Sequence, residues 1–167
     1  MTRPMRKTRS YLLRRHKPGD MGWLVYRHGV IGWNEHGFDE RFEVFVASII
    51  SKFIQHHDPR RERCWIVEMQ KEVVGCVFLV KKSETIAQLR LLLIEPKARG
   101  LGIGAHLVKE CVGFARRAGY RKIVLGTDNA AVAARHIYQK AGFRLISHKP
   151  HNFFGQDLIE ERWQLTL

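Results

Sequence analysis

The stretch RGLGIG, residues 99–104, places three glycines within five positions directly after an arginine. It follows the apolar run LRLLLI, residues 89–94, and precedes residues 103–119, where apolar side chains recur at helical spacing and end at a glycine. A helix that begins in glycines presents unpaired backbone N–H groups, and no side chain there keeps an anion at a distance. The pattern therefore predicts a strand, then a turn that binds a phosphate group, then a helix.

The rest of the pattern predicts one domain over residues 11–167, preceded by a basic tail at residues 1–10. The order β α α β β β α β α β β indicates the α/β (α+β) class, with a single mixed, mostly antiparallel sheet and a right-handed βαβ unit at its centre. The expected elements are a strand at 10–15, a helix from Asp20 to Gly29, a polar loop at 29–37, a helix at 39–57, strands at 63–69, 72–82 and 85–94, a helix at 103–119, a strand at 121–127, a helix at 130–141, and strands at 143–149 and 157–167.

The charge of the chain is strongly positive, with 29 Lys and Arg residues against 16 Asp and Glu residues and a formal net charge of +13. Such a charge attracts polyanions, which include nucleic acid, an acidic membrane surface and a phosphate-bearing cofactor. The basic residues are dispersed in small clusters at residues 3–9, 14–17 and 60–63. Charge alone therefore does not choose among these partners.

Cysteine content and hydropathy indicate which structural sites and which cellular location to expect. The three cysteines, Cys64, Cys76 and Cys111, are odd in number and lack C-x-x-C spacing, which argues against a disulfide framework and a zinc site. No apolar run reaches the length of a membrane span, and the basic start of the chain lacks the apolar core of a signal peptide. We therefore expect a cytoplasmic protein without a membrane partner.

Three phosphate-binding patterns compete for the glycine turn. Gly100, Gly102 and Ala105 fit the dinucleotide fingerprint G-x-G-x-x-A, but EPKAR separates the strand from the first glycine and too little chain follows for a large sheet. A Walker A loop requires Gly-Lys-Ser/Thr, whereas alanine and histidine follow Gly104. The third pattern is R-x-x-G-x-G, which Arg99, Gly102 and Gly104 satisfy.

This third pattern resembles the acyl-CoA pyrophosphate loop of the GNAT acetyltransferases. A second segment, AARHIYQKAGF at residues 133–143, resembles the A-x-x-L-Y-x-K-x-G-F segment of the same family. The order of elements over nearly the whole chain is similar to the GNAT fold as well. The resemblance implies an acetyl-CoA-dependent N-acetyltransferase, with a V-shaped gap between the strand ending at Ile94 and the strand ending near Thr127.

The resemblance also implies how acetyl-CoA is held. The N–H of Leu92 is expected to donate to the acetyl carbonyl as an oxyanion-hole group, and Ile94 is expected to pair with the pantetheine arm. Ala134 lies on the cofactor side of the implied site. Asn129 either reaches the pantetheine arm or caps the fourth helix, and we favour the cap. The pyrophosphate is expected to bind the residues of the turn, namely Arg99, Gly100, Leu101, Gly102, Ile103, Gly104 and Ala105.

The implied chemistry needs an acid and a base. Tyr138 occupies the position of the family's general acid, and a phenol with a pKa near 10 can protonate a CoA thiolate of similar basicity. Gln88 stands where histone-type relatives carry a glutamate base, and an amide cannot take that role at neutral pH. Glu35, His36 and His148 are the candidate replacements, each acting through water.

The amine acceptor is expected to enter from the face opposite CoA, between residues 29–38 and residues 150–156. Aromatic side chains in these stretches predict apolar walls, and a glutamate there can attract a cation. The expected substrate-binding residues are Trp33, Glu35, Phe38, Gln88, Phe153 and Phe154.

Other interpretations remain open at this point. Residues 16–29 and 90–104 also resemble the acetyltransferase half of bacterial MarR-type fusion proteins, and the short stretch before the first strand favours a stand-alone bacterial enzyme. The main alternative is a basic nucleic-acid or ribosome-associated module that keeps the fold for binding. No metal is expected, because His56–His57 and His148-x-x-His151 lack a third ligand at helical spacing. A homodimer is possible.

Overall fold

The structure is a computed structural model that describes residues 10–167, so the predicted basic tail lies outside the described residues except for Ser10. The predicted order of strands and helices is confirmed. The elements are β1 (Leu12–Arg15), α1 (Asp20–His36), α2 (Arg41–Gln55), β2 (Arg63–Met69), β3 (Glu72–Lys81), β4 (Ile86–Ile94), a short 3-10 helix (Pro96–Ala98), α3 (Ile103–Arg117), β5 (Lys122–Asp128), α4 (Val132–Lys140), β6 (Arg144–Phe153) and β7 (Gln156–Thr166).

The strands form one mixed sheet in the order β1-β2-β3-β4-β5-β7-β6. Only the β4–β5 pair is parallel among the paired strands of the described residues, as the βαβ unit requires. Alternate residues of the central strands enter two apolar clusters, one beneath α3 and α4 and the other beneath α1 and α2. Within residues 10–167, none of the helices is both long and apolar enough to cross a membrane.

Helix α1 corrects the predicted stop at Gly29 and the predicted loop at residues 29–37, because it runs through Gly29 and Gly32 to His36. A Cβ at Gly29 would lie 2.4 Å from Cγ of Glu43, and a Cβ at Gly32 would lie 2.6 Å from Cδ1 of Phe42. These glycines therefore let α2 pack closely against α1. The helix ends instead at Gly37, which has a φ of 69°.

Strands β4 and β5 part soon after they begin to pair. Their register joins residues 86–88 to residues 122–124 and goes no further, although β4 continues to Ile94 and β5 to Asp128. A β-bulge in β4 adds to the distortion, since Leu91 has a φ of 55° and the register with β3 shifts there. The predicted V-shaped gap is thus present in the fold.

Candidate active site

A cavity of about 600 Å³ fills the gap between β4 and β5 and extends under α1, α2 and the β6–β7 hairpin. Two sets of residues are distinguished around it, and the glycine turn of the first set lies outside the cavity lining. We call residues 91–105 and 131–138 the donor side, and residues 28–45, 88–90 and 153–154 the acceptor side.

The glycine turn on the donor side opens α3 as predicted. Gly100 and Gly102 have φ angles of 78° and 76°, and the space where a Cβ would stand is open at both. The helix begins at Ile103 with no side-chain cap, so the N–H groups of its first turn lack intrahelical partners. Gly104 serves a different purpose, because a Cβ there would lie 2.7 Å from Cδ1 of Ile137 in α4.

Arg99 and Glu35, which were assigned to opposite sides of the site, form a bidentate ion pair. The two guanidinium Nη atoms of Arg99 donate to the Glu35 carboxylate at 2.7 and 3.0 Å. The pairing lowers the pKa of the Glu35 carboxyl below its usual range. Glu35 therefore faces the glycine turn and lies outside the cavity lining, so its expected contact with a cationic substrate stays a prediction.

Leu92 lies in the bulge of β4 and lines the cavity, where β5 no longer pairs with this strand. The backbone of β4 is thus presented to the gap at the position expected for the oxyanion-hole donor. Ile94 ends the strand, and its carbonyl oxygen accepts a hydrogen bond from Nε of Arg99 at 3.2 Å.

Tyr138 is held by α4 at the wall of the cavity, with its side chain only 5% exposed. Its ring packs against Phe143, with the two ring centroids 5.8 Å apart. Burial raises the pKa of the Tyr138 phenol above its usual value, so the hydroxyl stays protonated at neutral pH. A protonated phenol beside the gap is suited to donate a proton.

The start of α4 corrects the role favoured for Asn129. The carboxylate of Asp128 accepts hydrogen bonds from the N–H groups of Ala130 and Ala131 at 2.8 and 3.2 Å, as a cap would. Asn129 instead accepts the N–H of Ile159 in β7 through its side-chain oxygen at 2.9 Å. Asn129 therefore connects the segment that precedes α4 to the sheet. Ala134 lines the cavity as expected.

Aromatic side chains from three elements form the acceptor side. Phe38 packs edge-on against Phe42, and Phe154 contacts both rings, with centroid distances between 5.1 and 5.6 Å. Gln88 and Phe153 also line the cavity, so four of the expected substrate residues lie together. Trp33, like Glu35, lies outside the cavity lining, and it is 65% exposed on α1.

The three candidate bases separate in the structure. His36 lines the cavity and stacks on Phe38 at a centroid distance of 5.2 Å. His148 is exposed on β6 and lies outside the cavity lining, as Glu35 does. Within residues 10–167, no three His, Cys, Asp or Glu side chains converge in a way that would hold a metal ion.

The family assignment follows from a comparison of the sequence with family models. The model of the acetyltransferase (GNAT) family matches residues 23–143, which is most of the chain and includes the donor side and all of the acceptor side except residues 153–154. This chain belongs to the GNAT acetyltransferase family. The predicted family, enzyme class and acyl-CoA donor are therefore confirmed at the level of the family.

Individual relatives in this acetyltransferase family are distant. The uncharacterized N-acetyltransferase YvbK of Bacillus subtilis is 27% identical over 123 residues, covering 74% of this chain and 79% of that protein. Human N-acetyltransferase 8B is 35% identical over 85 residues, covering 48% of this chain and only 37% of the relative. Spermidine N-acetyltransferase from Vibrio cholerae, solved with CoA and spermine, superposes with a TM-score of 0.73 over 94% of this chain and 95% of its own, at 23% identity. This last likeness establishes the fold.

Two cavity residues were missed from the sequence. Arg90 is half-buried in β4 and lines the acceptor side, where Gln88 was the residue of this strand whose side chain was expected. His28 is 4% exposed on α1, and its Nδ1 bonds the carbonyl oxygen of Leu24 at 2.7 Å while its Nε2 has no partner among the described residues. Burial lowers the pKa of His28 to about 4. The period of two that places Arg90 on the same face of β4 as Gln88 could have revealed Arg90, whereas a lone histidine inside a predicted helix gives no comparable signal.

Proposed function

We propose that this protein transfers the acetyl group of acetyl-CoA to a primary amine by direct attack within a ternary complex. The observation that carries the proposal is the splayed gap between β4 and β5, with the buried phenol of Tyr138 on its wall and the glycine turn between β4 and α3. Membership of the GNAT family supports acetyl-CoA as the donor.

The donor side would hold acetyl-CoA mainly through its backbone. The pyrophosphate would lie on the N–H groups that begin α3, where the helix dipole favours an anion, and Arg99 would add its charge by exchanging Glu35 for the phosphate. The pantetheine arm would occupy the gap as an added strand beside residues 92–94. The N–H of Leu92 would then stabilise the oxyanion of the tetrahedral intermediate.

The transfer forms one bond, breaks another and requires two proton transfers. The amine nitrogen forms a bond to the acetyl carbon, the carbon–sulfur bond breaks, and the leaving CoA thiolate takes the phenolic proton of Tyr138. The nitrogen loses one proton to solvent, and Tyr138 is reprotonated before the next cycle. The buried Tyr138 phenol is protonated when the reaction begins, as a general acid must be, while its raised pKa makes it a weaker acid than a free phenol.

The class of acceptor and the setting of the enzyme belong to this proposal too. A neighbour of the same fold was solved with spermine, which is an amine, and relatives bear N-acetyltransferase names. The amine is proposed to approach through the aromatic acceptor side. The cytoplasmic location, the bacterial origin and a homodimer stay predictions, and binding of nucleic acid by the basic surface stays the alternative that is not favoured.

The test is thiol release from acetyl-CoA by the purified full chain across a panel of small amines, amino acids and peptide termini. We expect release of CoA that depends on the amine, with one acetylated product for each thiol. Salt-sensitive retention on RNA, with no thermal shift by acetyl-CoA and no thiol release, would instead favour the nucleic-acid alternative.

A further inference from the structure

Arg90 is the feature of the acceptor side that the proposed reaction does not use. It lies in β4 two residues before Leu92, so its side chain stands close to where the acetyl group would sit. It lines the cavity together with Gln88, which occupies the same face of the strand. Its guanidinium lies 5.6 Å from the ring centroid of Phe45, on the aromatic cluster of the acceptor side.

No carboxylate within residues 10–167 pairs with Arg90, and the Arg90 side chain has neither a hydrogen bond nor an ion pair there. Burial lowers the pKa of the Arg90 guanidinium, and no charged neighbour offsets this effect. A half-buried cation without a counter-ion is costly to a fold, so buried charges are normally paired. Arg90 therefore retains unused capacity for a bidentate anion contact.

The acidic side chains of the cavity do not fill that capacity. Asp128 accepts the N–H groups of Ala130 and Ala131 at the start of α4. Glu160 lies 3.6 Å from both Lys149 and Arg162. The cavity thus contains acids that are already engaged, and an arginine on the acceptor side that is not.

We propose that the acceptor is an amine that also carries a carboxylate, such as an amino acid with an apolar side chain, and that Arg90 binds this carboxylate. The inference rests on the proposed acetyl transfer to an amine and specifies its substrate class. The guanidinium fork matches a carboxylate in two hydrogen bonds. The rings of Phe38, Phe42 and Phe154 supply an apolar surface for the rest of the molecule.

The test compares acceptors that differ only in the carboxylate. Phenylalanine, phenylalaninamide and phenethylamine would be assayed with acetyl-CoA, and leucine and leucinamide would form a second series. We expect kcat/KM to be about 100-fold higher for the acids, the size expected of a charge-assisted contact in a partly buried site. The amino group of an amino-acid amide is less basic than that of the free acid and is more often neutral at a given pH. Intrinsic reactivity alone would therefore favour the amides over the acids.

Variants locate the effect. Arg90→Met is expected to remove the preference for acids while leaving the uncharged amines within about threefold, and Arg90→Lys is expected to restore part of it. Arg144→Met, at an exposed arginine of β6 outside the cavity, is the matched control and should keep the full preference. Equal use of acids and amides by the wild type, or an equal loss for both in Arg90→Met, overturns the proposal.

A binding measurement separates this inference from the proposed function. Titration calorimetry with N-acetylphenylalanine and with its amide reports recognition of the product carboxylate without turnover. If the wild type binds the acid more tightly than the amide and Arg90→Met loses this difference, the carboxylate site is supported. This holds even if no acceptor is acetylated, because a lack of acetylation counts only against the transfer reaction. Equal or absent binding of both compounds contradicts the carboxylate site, whatever the thiol-release assay shows.

Discussion

The donor and acceptor sides of the cavity are built on different principles. On the donor side, one continuous stretch from β4 through the glycine turn into α3 presents its main chain, and α4 adds Tyr138. On the acceptor side, side chains from α1, α2, β4 and the β6–β7 hairpin converge from four separate parts of the chain. A backbone site leaves a motif in the sequence, whereas a side-chain site is visible only after folding.

The largest expected effect concerns Tyr138. Tyr138→Phe removes the proposed acid while keeping the ring that packs on Phe143, so kcat should fall by about 10²- to 10⁴-fold with little change in acetyl-CoA affinity. Steady-state thiol release and calorimetric titration with acetyl-CoA measure the two quantities.

Tyr120→Phe is the matched control for this variant. Tyr120 is also buried, but its hydroxyl donates to the carbonyl of Arg61 at 2.8 Å, away from the cavity. Its kcat should stay near that of the wild type. If the two variants lose activity equally, Tyr138 has no role as an acid.

On the acceptor side, His28 should make stability depend on pH. Its folded pKa of about 4 lies below the unfolded value near 6.5, so the unfolded state binds the proton first. The contribution of His28 to the free energy of unfolding is fully present above pH 6.5. It is lost as pH falls towards 4, and the total loss is about 3 kcal/mol. Urea unfolding across this range should show a weaker pH dependence in His28→Phe. The exposed His56 offers a control, since His56→Gln should keep the wild-type slope.

The close packing of α1 on α2 gives a smaller effect. A Cβ at Gly32 would meet the ring of Phe42 at 2.6 Å, so Gly32→Ala should destabilise the fold by about 1 to 3 kcal/mol and disturb acceptor binding. Gly22 lies in the same helix with open space around it, so Gly22→Ala should be neutral or stabilising by up to about 1 kcal/mol. Thermal melting of both variants checks the difference, and equal effects would disprove the packing explanation.

The smallest effect tests whether the Arg99–Glu35 pair opens for the cofactor. Arg99→Gln should weaken acetyl-CoA binding about tenfold, or about 1.4 kcal/mol, because one exposed phosphate contact is lost. Glu35→Gln should leave binding unchanged or slightly tighter, since it removes a competitor for the guanidinium. Weaker binding in both variants would mean that the pair acts as a unit in holding the loop.

The contrast between the two sides also explains which predictions succeeded. The glycine turn and the segment around Tyr138 are local, so their positions in the fold followed from sequence. Gly29 looked like a helix stop, but a glycine is needed there because the side chain of Glu43 packs against it from another helix, and that contact is not visible in the sequence. Trp33 was misjudged through the same error, because α1 continues past Gly29 to His36 and leaves Trp33 65% exposed on the helix.

Amide hydrogen exchange of the wild-type protein, with and without saturating acetyl-CoA, tests the central claim most directly. If the cofactor binds along the main chain of the donor side, exchange should slow at residues 92–94 and 100–106 and change little at β1, β2 and the outer edge of β6. Binding of acetyl-CoA with protection elsewhere, or with none at these two segments, would contradict the account.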